Sequence, residues 1–583
     1  MIKLFRLLRR QEWLMIAASL VFVVAQVWLN LKMPDYMSAI TTLVETPGSA
    51  MSDILMNGAF MLLCAVGSMV CAIFTGFFAA RIGAGFGKTL RAKVFKKVLK
   101  FNNEEIGKFS TASLITRTTN DITRVQMIMS MGLQAVVMAP IMMVFGIAKI
   151  AGKQWQWSVA TMVAVVLILV MLVVIVILVM PKFTIIQRMT DALNRVTREN
   201  LNGIRVVRAY NAEAYQEEKF EKANVKLTNT NLFANRIMAV MMPMMTLVSS
   251  GITLAIYWIG AFLIDAADQA SRLTIFSDMV VFTSYAMQII MAFTLLAMIF
   301  VMLPRVMVSV RRINEVLDTH VRMKNGTETE TKGEEGTLEF SHVSFRYPGA
   351  SEDAVHEISF TAKPGQTVAI IGATASGKSS LVSLIPRFYD VTSGTLRVDG
   401  VDVRDYDTSV LRDKIGFISQ KAVLFSGTVA SNVAYGQDHP DEDKIWEALK
   451  TAQAADFVAG MEGGLQAPVS QGGTNVSGGQ KQRLSIARAI YKDPEFYIFD
   501  DSFSALDYKT DRVLRQALED QTKSSTKLIV AQRIGTIRNA DQIVVLKDGK
   551  VSGIGTHDEL MQTCDVYREI ALSQLSEEEL TYG

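Results

Sequence analysis

The sequence predicts a multidomain chain: an all-α transmembrane domain of six helices, followed by an α/β domain built on parallel strands. Three observations predict it. Six apolar runs of membrane-crossing length fill the first 317 residues, a polar stretch follows at 318–337, and beyond 338 short β-branched runs alternate with helical ones around a glycine-rich loop. The expected boundaries are therefore a membrane domain at 1–317, a linker at 318–337, a second domain at 338–575 and a tail at 576–583.

Composition agrees with this division. At 583 residues the chain exceeds one domain, and with half its residues hydrophobic and only 20% charged it is too apolar for a wholly soluble protein. A net charge of +3 supplies no field for polyanions, so no nucleic-acid partner is expected. Cys64, Cys71 and Cys564 are too few and too scattered for a disulfide framework and are expected as free thiols.

A helix needs about 20 apolar residues to cross the hydrocarbon core. Six segments qualify, at roughly 13–33, 55–80, 127–149, 157–180, 233–264 and 275–304. An even number places both ends of the domain on one side, and the excess of lysine and arginine marks that side as cytoplasmic. Lys3, Arg6, Arg9 and Arg10 precede the first segment, and Arg81, Lys88, Arg91, Lys93, Lys96, Lys97 and Lys100 follow the second. Lys149 and Lys153, in an outer turn, run against the rule. Leucine and phenylalanine interleaved with arginine make 1–12 an expected amphipathic helix on the inner membrane surface. The many methionines of this half read as packing rather than as a ligand surface. Lys324, Asn325 and Gly326 lie in the linker, which is too polar to fold alone. The lipid bilayer is thus a partner, with both termini cytoplasmic, and the short outer loops suit a bacterial plasma membrane.

In the second domain, the β-branched run Thr367–Ile371 leads into Gly372, Ala373, Thr374, Ala375, Ser376, Gly377, Lys378, Ser379 and Ser380. This is the phosphate-loop pattern in its strand-to-helix setting. Glycines let backbone N–H groups close around phosphates, the helix N-terminus adds positive potential, the lysine reaches the terminal phosphates and the serine hydroxyl ligates Mg²⁺. A second apolar strand, Glu495–Asp501, ends in two carboxylates, and Asp500 is placed to complete the Mg²⁺ shell. The cofactors expected are ATP and Mg²⁺.

Further on, Asn475-Val-Ser-Gly-Gly-Gln-Lys-Gln-Arg-Leu-Ser-Ile-Ala-Arg-Ala489 closely resembles the signature of the ATP-binding cassette family. Tyr347 is similar to the family's adenine-stacking aromatic, Gln420 to its glutamine-loop residue, and Ser504-Ala-Leu-Asp507 to its D-loop. The membrane half resembles the six-helix exporter type, with Leu114–Asp121 and Asn202–Tyr210 similar to its two coupling regions. The resemblance implies Ser379, Gln420 and Asp500 around Mg²⁺. It also implies domains paired head to tail, so that Ser477, Gly478, Gly479 and Gln480 serve an ATP bound by a second chain.

The sequence departs from that pattern at one chemical step. Asp501 stands where family members that hydrolyse well carry glutamate, and Gln532 stands where they carry the switch histidine; Gln471 and Ala375 are milder departures. Loss of a positioned base typically costs about 10²–10⁴ in rate. The resemblance with these departures implies a hydrolysis-impaired site, hence a heterodimer with a non-identical half-transporter whose own site is complete. The transported compound is expected to be small and hydrophobic or amphipathic, because mid-membrane ionisable groups are scarce, and multidrug export fits the lack of an added N-terminal domain. Lipid or peptide export, or a mainly regulatory ATP-binding subunit, are the alternatives.

Overall fold

The structure is a computed structural model describing residues 2–46, 48–151 and 153–574; the tail expected at 576–583 lies outside the described residues. Its contacts divide the chain into two units. One runs to Leu99 and resumes over Ser110–Thr319; the other joins Lys100–Phe109 to the chain from His320 onward.

The first unit is helical, because a backbone in hydrocarbon must satisfy its own hydrogen bonds. Among the described residues six helices are long and apolar enough to span: Arg10–Glu45, Met51–Leu99, Thr111–Ile150, Trp155–Asn202, Glu213–Asp265 and Gln269–Asp318. The shortest has 36 residues, about 54 Å at 1.5 Å per residue, so every one outruns a hydrocarbon layer of about 30 Å. The third helix carries two π-helical turns, Arg117–Asp121 and Ile128–Gly132. The hydroxyls of Thr118, Thr119 and Ser130 donate back to the carbonyls of Leu114, Ile115 and Gln126, and such back-bonding competes with the backbone ladder. At Gly83 a Cβ would lie 2.9 Å from Ser130 Cβ, so glycine lets the second helix approach the second of these turns.

Val27, Trp157, Ile256, Phe282 and Tyr285 form the buried centre of this unit, and the Trp157 indole donates to Ile256 O at 3.1 Å. The first helix continues through Pro34 to Glu45, which places Asp35 inside it rather than in the expected loop. That explains the two exceptional lysines. Lys149 Nζ lies 2.6 Å from Asp35 Oδ2, Tyr285 donates to Asp35 Oδ1 at 2.6 Å, and Lys153 pairs with Asp278. Each charge is neutralised between helices, so neither acts as a topology signal. The basic start differs from expectation as well: a single turn, Ile2–Phe5, replaces the amphipathic helix through 12, Leu4 and Leu8 are buried, and the first membrane helix opens at Arg10. Cys64, Cys71 and Cys564 are free.

Leu114–Asp121 and Asn202–Tyr210 both lie in this unit. Within it Asp121 accepts from Ser309 at 2.7 Å and Arg117 pairs with Glu315 at 2.9 Å. The segment that instead groups with the second unit is Lys100–Phe109, earlier than either. Its short helix is closed by a capping box between Asn102 and Glu105, and the buried Glu105 also accepts Arg322 N at 3.1 Å while Glu104 pairs with Arg322 at 2.9 Å.

Among the described residues the second unit has twelve strands: β1 Leu338–Phe345, β2 Val355–Ala362, β3 Thr367–Gly372, β4 Ser393–Val398, β5 Val401–Asp402, β6 Ile415–Ile418, β7 Gly427–Thr428, β8 Pro468–Val469, β9 Phe496–Asp500, β10 Thr526–Val530, β11 Gln542–Lys547 and β12 Lys550–Gly555. An antiparallel sheet runs β2-β1-β4-β5, and a six-stranded sheet runs β12-β11-β3-β10-β9-β6. All but β12 are parallel in the latter. Strands β9 and β10 are buried at every position, as expected of parallel strands covered on both faces. In register, Val530 faces Asp500 and Phe499 faces Ile418, so β3, β10, β9 and β6 end together at one carboxyl edge, where open α/β sheets build their sites.

Candidate nucleotide site

The loop after β3 is shaped by backbone conformation. Ala375 and Gly377 take left-handed φ values of 65° and 95°, turning successive N–H groups toward one concavity. A Cβ on Gly377 would sit 2.4 Å from Ala354 O, and one on Gly372 2.2 Å from Leu546 O, so glycine alone fits both. Ala375 holds its φ at a cost of about 1 kcal/mol. Lys378 folds over the loop, its ammonium donating to Gly372 O at 2.8 Å and Ala373 O at 2.7 Å. Burial lowers its pKa, opposed by the charges of Asp501 and Asp500. Ser379 Oγ donates to Asp500 Oδ1 at 2.7 Å.

At the ends of β9, β10 and β6 the carboxylates and amides converge. Asp501 is 9% exposed, stands in a left-handed conformation with φ 49° and donates its N–H to Val530 O. Its Oδ2 accepts Gln532 Nε2 at 2.8 Å and Gln420 Nε2 at 3.1 Å. Asp500 has its pKa raised, chiefly by burial and further by the Asp501 charge, against the Ser379 hydrogen bond. Ser502 donates to Ile418 O at 3.0 Å and Ser504 to Asp501 O at 2.9 Å, which fixes the turn after β9. Asp507 caps the next helix through Thr510 N, and the backbone N–H of Thr510 lowers its pKa.

Tyr347 is half exposed, stacked edge-on against Phe345 and Tyr389, with its hydroxyl 2.9 Å from Ser380 Oγ, which brings an aromatic face beside the phosphate loop. Ser477 caps the helix Gly478–Lys492 in a reciprocal box with Gln480, leaving the N–H groups of Gly478 and Gly479 at an exposed helix start. Among the described residues no hydrogen bond joins Ser477–Gln480 to the loop at 372–380. Sequence reading missed Gln574, whose side chain accepts Ile534 N at 2.9 Å and donates to Gln532 O at 2.8 Å. No motif at 565–574 carries a signal for it.

The comparisons with known proteins agree with this geometry. Residues 15–293 match the ABC transporter transmembrane region and residues 355–504 the ABC transporter family. An uncharacterized ABC transporter ATP-binding protein of Mycobacterium tuberculosis is 40% identical over 548 residues, 92% of this chain and 93% of its own length. An ATP-dependent lipid A-core flippase of Pseudomonas fluorescens is 31% identical over 496 residues, 85% of this chain and 81% of its own. A solved bacterial Atm1-family ABC exporter with ATP bound shares the fold, with a TM-score of 0.79 over 96% of this chain and 98% of its own at 22% identity. The chain belongs to the ABC transporter family. It is a multi-pass membrane protein with fused transmembrane and ATP-binding domains, the latter of the kind that couples ATP hydrolysis to transport.

The residues present fit the family's nucleotide. Glycines at the points of closest approach, a left-handed nest and a buried ammonium make a cradle for anionic oxygens. Ser379 and Asp500 supply adjacent hard oxygens suited to Mg²⁺, which when bound neutralises charge on the phosphates.

Proposed function

We propose that this chain is the hydrolysis-impaired half of a heterodimeric exporter of hydrophobic or amphipathic compounds. One observation carries the reading: a single oxygen of Asp501 takes both the Gln532 and the Gln420 amides. A base that orients water needs a free oxygen at the end of a sufficient reach. This carboxylate is one methylene shorter than glutamate, and one of its two oxygens is already held by the two amides. Gln532 donates a neutral amide where imidazole would meet developing charge, a weaker stabiliser. The gripping elements are retained, with Tyr347 against adenine, Gly372–Ser380 around the phosphates, and Ser379, Asp500 and Gln420 toward Mg²⁺. Ser477–Gln480, Ser504 and Asp507 then serve the interface with a non-identical half that carries the complete site. Both termini face the cytoplasm of a bacterial cell.

The test is to purify the chain alone and with the product of a neighbouring transporter gene. The lone chain is expected to bind ATP with little turnover and the pair to hydrolyse and transport. A lone chain with full substrate-stimulated ATPase and transport would overturn the proposal.

For cargo, the apolar character of the spans supports amphipathic drugs. A second reading, lipid export, is favoured by the 31% identity to a lipid A-core flippase and by an apolar cavity of about 650 Å³ among the second, third and sixth helices, where Met127, Met131, Met138 and Met302 supply adaptable surface. Transport assays with a cationic dye and with a fluorescent lipid in the same proteoliposomes separate the two.

A further inference from the structure

The turn that follows β10 is held from outside the sheet. Strand β10 ends at Val530, and beyond it Ala531 N still reaches Ile370 O at 3.2 Å. For the next two residues the partner is a side chain. The amide of Gln574 pairs with the backbone on both sides of Arg533, donating to Gln532 O at 2.8 Å and accepting from Ile534 N at 2.9 Å, much as a neighbouring strand would. Gln574 is the last described residue of the helix Asp565–Gln574. That helix is anchored through Tyr567 and Ala571, both fully buried in one cluster with Ile534 and Ile537, so its end is delivered to the turn. From the first of the two residues that Gln574 holds, the Gln532 side chain leaves for Asp501 Oδ2 at 2.8 Å.

We infer that Gln574 is a positioning residue that holds the Gln532 amide on Asp501 and thereby prolongs retention of the bound triphosphate. The electrostatics give the direction. Asp500 and Asp501 are adjacent buried carboxylates, and a triphosphate beside them is repelled by any negative charge left without a donor. Gln532 supplies one of the two donors that quiet Asp501. Releasing the backbone at Gln532 and Ile534 frees that donor to wander, and the phosphate side of the pocket then faces a barer carboxylate. This rests on the reading of the site as one that holds nucleotide, but it concerns the path by which Gln532 is placed.

The experiment measures release of Mg²⁺-bound TNP-ATP from the full-length chain in detergent, chased with ATP, with hydrogen exchange over 531–535 recorded in parallel. Gln574→Ala is expected to speed release about three- to tenfold, the worth of one net hydrogen bond, and to raise exchange at Ile534. Gln532→Ala is expected to speed release similarly, and the double variant to add nothing. Gln574→Glu keeps the acceptor for Ile534 N and loses the donor to Gln532 O, so its release also quickens. Unchanged release in Gln574→Ala, an effect undiminished in the Gln532→Ala background, or wild-type release in Gln574→Glu overturns the inference. Because the double variant reads a dependence between two residues, it stays interpretable even if the lone chain proves a competent ATPase.

Discussion

On the β3 side of the pocket the structure grips with backbone: two left-handed residues, two glycines with no room for a Cβ, a helix N-terminus, and a lysine tied to loop carbonyls. On the β9–β10 side it relies on side chains: one carboxylate, two amides reaching it, and a third amide holding the turn. The difference teaches how the two abilities of such a site come apart. Phosphate binding is written into conformation, so it survives exchanges such as Ala375 for a more permissive glycine at about 1 kcal/mol. Water activation depends on the reach and free lone pairs of single side chains, so under the function proposed above the two exchanges at Asp501 and Gln532 are enough to weaken it.

The largest effect should come from rebuilding the side-chain half. Asp501→Glu with Gln532→His, made in the assembled exporter whose partner site has been inactivated, is expected to raise residual hydrolysis about 10²–10⁴-fold. An unchanged rate would overturn the proposed impairment at Asp501 and Gln532, and the contrast between the two sides would fail. Attacking the backbone half gives the next effect. Lys378→Ala removes a charged donor and is expected to weaken Mg²⁺-ATP binding to the full chain about ten- to hundredfold by calorimetry, whereas Asp501→Asn should change that affinity far less. Similar losses from both would again erase the distinction.

Much of this was legible before any coordinates. The six spans follow from apolar length, and Gly372, Gly377, Lys378 and Ser379 from a spacing whose chemistry leaves few alternatives. What escaped sequence reading depends on partners distant along the chain. Lys149 violates the charge rule until Asp35, 114 residues earlier, is found beside it, and Asp35 fell outside the first apolar segment, expected to end near 33, although the helix runs on to Glu45. Lys100–Phe109 carries no apolar period and no motif, yet the burial of Glu105 beneath Arg322 groups it with the nucleotide unit. Gln574 is an exposed glutamine on the helix Asp565–Gln574, and only its tertiary position gives it two backbone partners.

A smaller effect would sharpen the comparison by acid. The helix that carries Gln574 is fastened through Tyr567, whose hydroxyl lies 2.7 Å from Nδ1 of the buried His557. Burial pushes the Tyr567 phenol up to about 12, so it keeps its proton and can donate to the neutral imidazole. Burial, then the Arg538 charge, holds the His557 pKa below its ordinary value, with Asp558 opposing. A histidine whose folded pKa lies below its unfolded one binds fewer protons folded than unfolded. Stability is therefore full above the unfolded value of about 6.5 and declines as pH falls through it. The protection factors for hydrogen exchange, corrected for the intrinsic pH dependence, should accordingly fall across 557–574 and at Ile534 below about pH 6.5, while those of the phosphate loop at 372–380 hold. His557→Gln should flatten that pH dependence. If the loop and the C-terminal helix loosen together in acid, the two sides of the pocket are one cooperative unit, and the separation of grip from water activation loses its structural basis.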